Sequence, residues 1–246
     1  MDTVKFNKGN VKMVAHRGLS GLETENTAAA FVAAGNRSYF GMECDIHPTI
    51  DNRFVVIHDS DTERVCETNI IVEESNFSDI RKLVLKDKNC LGNIADMPTM
   101  RGDIIIPSLE EYILICKKYS KVSVLELKEN FSKENLQAVV SIIKELGWLE
   151  NVIFISFDFE NCVNLRNMLP DAIIQYLVCE FNDDILEKLL TYKLDIDIYY
   201  KALTKENISI MHDNNIVVNC WTVDDKAEAE KLAGWGVDFI TSNILE

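Results

Sequence analysis

Residues 121–157 read KVSVLELKENFSKENLQAVVSIIKELGWLENVIFISF. The first seven and the last seven residues are short apolar runs of strand character, and residues 132–147 between them carry the spacing of an amphipathic helix. Ser132 stands where an N-cap belongs, three residues before Asn135 rather than the Glu or Gln of a full capping box. A strand, a returning helix and a second strand are the unit of a parallel sheet with helices packed outside it.

The same unit recurs in both directions. Toward the N-terminus the spacing predicts a strand over about 12–16, a helix over 26–36, a strand over 41–47 and a helix over 108–119 capped by Ser108. Toward the C-terminus it predicts helices over 160–169, 183–193, 204–214 and 226–236, with strands over 172–178, 194–200, 216–223 and 237–242. Eight strands of this kind predict an α/β fold, a (β/α)8 TIM barrel forming a single domain over 1–246, with catalytic groups where strands end and loops begin. Two features break the rhythm. Residues 60–106 are too long for an ordinary strand-to-helix loop and are expected to form an inserted lobe over the barrel mouth, and no eighth helix follows the last strand.

Composition narrows the partners. With 25 Lys and Arg against 40 Asp and Glu, the net charge of −15 repels nucleic acid and anionic membrane surfaces at long range. The first residues lack the pattern of a secretory signal, and no apolar run approaches the ~20 residues of a membrane span. A soluble, cytoplasmic protein with no stable membrane association and no evident protein partner is expected. Cys44, Cys66, Cys90, Cys116, Cys162, Cys179 and Cys220 include no CxxC pair, so they read as reduced thiols, mostly small core residues, and not as a zinc site or disulfide framework.

Charged residues interrupt the strands in a regular way. In GMECDIHPT, residues 41–49, Glu43, Asp45 and His47 lie two apart and share one strand face, opposite Met42, Cys44 and Ile46. Glu126 and Lys128 likewise share a face opposite Leu127. Carboxylates inside a barrel need compensation. Glu43, Asp45 and Glu126 suit a hard divalent cation, Mg2+ or Ca2+; a set of salt bridges with Lys128 and Arg17 is the other reading. Two strand-like runs stop at a histidine, Met13–Ala15 at His16-Arg17-Gly18 and Phe54–Ile57 at His58-Asp59. Acids, cations and two imidazoles at strand ends together point to a phosphorylated substrate. His212, late in a helix, reads as a surface residue, and His47 as a hydrogen-bonding partner outside the catalytic set.

In order along the chain, His16-Arg17-Gly18, Thr24-Glu25-Asn26-Thr27, Glu43-Cys44-Asp45, the turn Asp51-Asn52 and His58-Asp59 resemble the glycerophosphodiester phosphodiesterase family. Glu126 with Lys128, Ser156-Phe157, Trp221 and the C-terminal GVDFITSN extend the likeness over most of the chain outside 60–106. The resemblance implies that Glu43, Asp45 and Glu126 bind a divalent cation, that His16 and His58 exchange protons with the phosphodiester, and that Arg17 and Lys128 hold its oxygens. It implies a small glycerophosphodiester substrate split into glycerol 3-phosphate and an alcohol, with the glycerol's own hydroxyl attacking and water opening the cyclic phosphate. Trp221 reads either as a wall of the substrate site or as packing. Three positions depart from the family pattern without removing a catalytic group: Thr24 for proline, Asn52 for glycine and Asn243 for a frequent aspartate. Two rival readings remain, a related phospholipase acting on lipid phosphodiesters and a catalytically inactive phosphodiester-binding barrel.

Overall fold

The structure, a computed structural model, describes residues 2–87 and 103–246. Eight parallel strands close a barrel: β1 (Lys12–Ala15), β2 (Gly41–Pro48), β4 (Val122–Leu127), β5 (Val152–Ser156), β6 (Ile173–Val178), β7 (Asp195–Tyr199), β8 (Val218–Trp221) and β9 (Phe239–Ser242). A short β3 (Phe54–Val56) runs antiparallel to the end of β2. The ring order is that of the sequence, and it closes because β1 pairs with both β2 and β9. Closure therefore needs no eighth helix; beyond β9, Leu245 bridges Val4 and the Glu246 side chain accepts the Ser38 N–H.

Among the described residues, seven helices return the chain between barrel strands: α1 (Ala28–Gly35), α3 (Leu109–Tyr119), α4 (Lys133–Glu145), α5 (Phe159–Met168), α6 (Asp183–Tyr192), α7 (Lys205–Asp213) and α8 (Lys226–Trp235). Each begins after a Thr, Ser, Asp or Asn whose side chain accepts a first-turn N–H: Thr27, Ser108, Ser132, Asp158, Asn182, Thr204 and Asp225. Such caps contribute about 1 kcal/mol each and fix where the loops at the strand C-terminal ends stop. Ser108 forms a full capping box with Glu111, whereas Ser132 accepts only from Asn135 N.

Apolar side chains fill the space between strands and helices, and a second set that includes Val14, Val124, Ile153, Ile155 and Leu177 fills the barrel itself. Strands buried on both faces explain the near-continuous apolar runs in the sequence. Cys44, Cys66, Cys116, Cys162 and Cys220 are buried and Cys179 is exposed; Cys90 lies outside the described residues. Of the long segment after β3, residues 60–87 carry the one-turn helix α2 (Phe77–Ile80). Cys66, Val72, Ile80 and Leu85 from this stretch pack with Val55, Ile57 and Ile106 in their own apolar cluster. Residues 88–102 lie outside the described residues. Among the described residues, no helix is long and apolar enough to cross a membrane.

Candidate active site

The inward face of β2 and its neighbour β4 bring Glu43, Asp45 and Glu126 together, each buried, with one oxygen of each within 4.8 Å of the others. Parallel pairing sets Asp45 opposite Glu126. Glu43 Oε2 accepts the Arg17 backbone N–H at 2.7 Å and Asp45 Oδ2 accepts the Asn26 amide at 2.8 Å. Glu43 Oε1 and Asp45 Oδ1 are buried without a hydrogen-bond partner. Arg17 Nε stands 3.5 Å from Asp45 and Lys128 Nζ 3.6 Å from it, so ion pairs are present but leave those two oxygens without donors.

Burial, with Asp45 and Glu126 nearby, pushes the Glu43 carboxyl well above the usual range. Burial and Asp45 raise Glu126 to about 7 against the pull of Lys128. Asp45 feels the same burial, yet Arg17, His58 and Lys128 outweigh it and hold this carboxyl at about 2. Three oxygen donors, two of them unpartnered, with protons held on the cluster near neutrality, fit a hard divalent cation.

Local backbone geometry aims the strand-end groups. Arg17 and Gly18 both have positive φ, +52° and +73°, so the chain turns at once after β1. A Cβ on Gly18 would come within 2.9 Å of Ala30 and Phe31 backbone atoms, which restricts the position to glycine. The turn points Arg17 N–H at Glu43, and its guanidinium meets Glu25 at 2.8 Å. Lys128 Nζ bonds Glu126 Oε1 at 2.8 Å.

His16 Nδ1 lies 2.8 Å from Asn243 Oδ1, and His58 Nδ1 lies 2.7 Å from Asp59 Oδ1. Both acceptors select the tautomer with hydrogen on Nδ1, which leaves each Nε2 free to exchange a proton. Burial and the Arg17 charge lower His16 to about 4; burial also lowers His58, against the pull of Asp45.

A cavity of about 100 Å3 joins these groups: His16, Arg17, Glu43, His58, Glu126 and Lys128 on one side, Phe157, Asp197 and Trp221 on the other. Phe157 and Tyr199 flank the Trp221 ring at 5.5 and 5.6 Å. Among the described residues its lining includes none from 60–87. A larger hollow, about 510 Å3, opens among Lys12, Gln175, Asp195 and Asp238, away from both histidines. Its two aspartates already accept backbone N–H groups of Val217 and Val218.

Seven of the eight residues singled out in the sequence line the cavity, and the eighth, Asp45, places a carboxylate oxygen within 4.8 Å of oxygens of Glu43 and Glu126. His212 is elsewhere, 3.0 Å from Asp238, and His47 donates to the His58 carbonyl at 3.2 Å. Two further residues, given no role from the sequence, belong to the site. Asn26, in the Thr-Glu-Asn-Thr segment, has φ of +53° and holds Asp45. Asp197 sits buried in the cavity with Oδ1 unpartnered, and burial and Glu126 raise its pKa strongly. The signal for Asp197 was the same alternation that exposed Glu43 and Asp45.

Comparison with known proteins agrees with this geometry. The glycerophosphoryl diester phosphodiesterase family matches residues 16–245. A glycerophosphodiester phosphodiesterase of Bacillus subtilis is 27% identical over 245 residues, covering 94% of this chain and 82% of its own. One from Caldanaerobacter subterraneus is 28% identical, covering 94% and 93%. In fold, an Oleispira antarctica phosphodiesterase solved with the product sn-glycerol-3-phosphate superposes with a TM-score of 0.84 at 22% identity, over 98% of this chain and 96% of that one. A glycerophosphodiester phosphodiesterase from Parabacteroides distasonis gives 0.78 at 25%, over 95% and 93%. The match along nearly the whole chain, on a barrel that gathers the acids and histidines at one end, means that this chain belongs to the glycerophosphodiester phosphodiesterase family.

Proposed function

We propose that the protein hydrolyses small glycerophosphodiesters to glycerol 3-phosphate and an alcohol, using a divalent cation, Mg2+ or Ca2+, with His16 and His58 as acid and base. The observation that carries this reading is the convergence of Glu43, Asp45 and Glu126 with both histidines around one cavity. The names of the curated relatives support the substrate class. A cytoplasmic location belongs to the same reading, supported by free cysteines.

Glu43, Asp45 and Glu126 would hold the cation, which supplies positive charge where phosphodiester cleavage builds negative charge. Arg17 and Lys128 line the same cavity and neutralise the non-bridging oxygens. His16, neutral at working pH, takes the proton of the attacking glycerol hydroxyl on Nε2. As the O–P bond forms and the bond to the alcohol breaks, His58 donates its Nε2 proton to the departing oxygen. Asp59 stabilises the imidazolium form of His58 that this step requires. The roles reverse when water opens the cyclic phosphate: His58 takes a water proton and His16 returns its own to the leaving glycerol oxygen. Trp221 and Phe157 form an apolar wall opposite the cations and favour a small organic body over bulk water.

The test is turnover of glycerophosphocholine with Mg2+, with Ca2+ and with EDTA, in the wild type and His16→Ala. Activity that requires a cation and falls by about 100-fold or more in the variant is expected; activity indifferent to both chelation and substitution discards the mechanism.

A further inference from the structure

Arg64 stands in the segment after β3, is absent from the cavity lining, and its side chain is 47% exposed. Its guanidinium nevertheless spans two carboxylates. Nε donates to Asp59 Oδ2 at 2.6 Å, while Nη2 and Nη1 donate to Glu25 Oε1 and Oε2 at 2.8 and 3.0 Å. Each carboxylate has a second partner inside the site: Asp59 Oδ1 accepts from His58 Nδ1, and Glu25 Oε1 accepts from Arg17 Nη1. The result is one continuous chain, His58–Asp59–Arg64–Glu25–Arg17, whose two ends line the catalytic cavity. Without its middle link, Asp59 and Glu25 are two anions with no shared cation, and each carboxylate is free to rotate about its remaining bond.

We propose that Arg64 is a positioning residue of the phosphodiesterase site: one fork of hydrogen bonds sets the His58 imidazole and the Arg17 guanidinium relative to each other, and so couples the segment after β3 to catalysis. The inference rests on the roles proposed above for His58 and Arg17. Only an arginine offers a bidentate grip on one carboxylate with a third N–H for another; lysine is a single point charge. A half-exposed ion pair contributes little to global stability, so the effect belongs in turnover and not in unfolding.

The test compares Arg64→Ala, Arg64→Lys, Asp59→Asn and the double variant Asp59→Asn/Arg64→Ala on glycerophosphocholine with Mg2+, alongside His58→Ala and thermal unfolding. Arg64→Ala is expected to lower kcat by about 10- to 100-fold and raise KM severalfold, in the manner of a lost orienting partner. Its Tm should move by no more than about 4 °C. Arg64→Lys, which keeps the charge and the stem, should retain most of the kcat loss, and the double variant should be little worse than the more impaired single variant. Wild-type kcat and KM in Arg64→Ala beside an inactive His58→Ala overturns the proposal, as does a double variant whose losses multiply. Full activity in His58→Ala would instead remove the reading of the site on which the proposal stands.

Discussion

His16 Nδ1 lies 2.8 Å from the amide oxygen of Asn243, the residue immediately after β9. His58 leans on a carboxylate instead, Asp59. One imidazole is thus oriented by a neutral dipole and the other by a charge, which suits the first to accept a proton and the second to carry one.

Exchanging Asn243→Asp with Asp224→Asn preserves the hydrogen-bonding pattern, because Asp224 now accepts from the Asn243 amide and backbone. It places a carboxylate beside His16, whose pKa burial otherwise holds at about 4. The ascending, acid limb of kcat/KM against pH should move to higher pH. A limb that stays in place would show that His16 is not the base.

Asp59→Asn acts on the other limb. The hydrogen bond that His58 Nδ1 donates to Asp59 opposes the lowering of His58 by burial, so its weakening lets the imidazolium deprotonate at lower pH. The descending limb of the profile should move down in pH while the ascending limb stays, as read by the same assay.

Protons and a cation compete for the acid cluster. Burial and Asp45 hold Glu126 at about 7 in the metal-free protein. Affinity for Mg2+ should therefore rise as pH increases through about 7, with proton release on binding; titration calorimetry in buffers of different ionisation enthalpy measures both. The sign for stability is opposite. A carboxyl whose folded pKa is raised favours the fold at low pH, and that contribution is lost as pH rises through about 7, so the metal-free protein should weaken over this window.

Glu43 is buried against two other acids, with Oε1 unpartnered. Glu43→Gln keeps an oxygen for the Arg17 N–H and removes the carboxyl whose ionisation burial and the two acids oppose, so in EDTA the variant should gain in Tm over the wild type as pH rises and that ionisation is forced. The same variant should lose cation-dependent activity. Thermal unfolding in EDTA reads the first effect, and a lower Tm than wild type would contradict it.

The acids were legible because strand periodicity is strict. Residues two apart on β2 or β4 must share a face, and Lys128 meets Glu126 as that rule requires. His16 and His58 were legible from the abrupt end of apolar runs. Contacts made by loops were not. Asn26 reaches Asp45 only because positive φ at Arg17 and Asn26 folds the loop back, and Arg64 reaches Glu25 across 39 positions through the segment after β3. Helix starts were fixed by capping: the helix expected from 26 begins at Ala28 because Thr27 is its cap. The antiparallel pairing of β3 with β2 likewise depends on the turn at Thr49–Asn52, where Asn52 takes φ of +55°.

The most direct test of the cation site is an anomalous difference map from crystals of the wild-type protein grown with Mn2+ in place of Mg2+. One strong peak about 2.0–2.6 Å from oxygens of Glu43, Asp45 and Glu126 is expected. A map with no peak among these carboxylates, or with the ion bound only elsewhere, would contradict it.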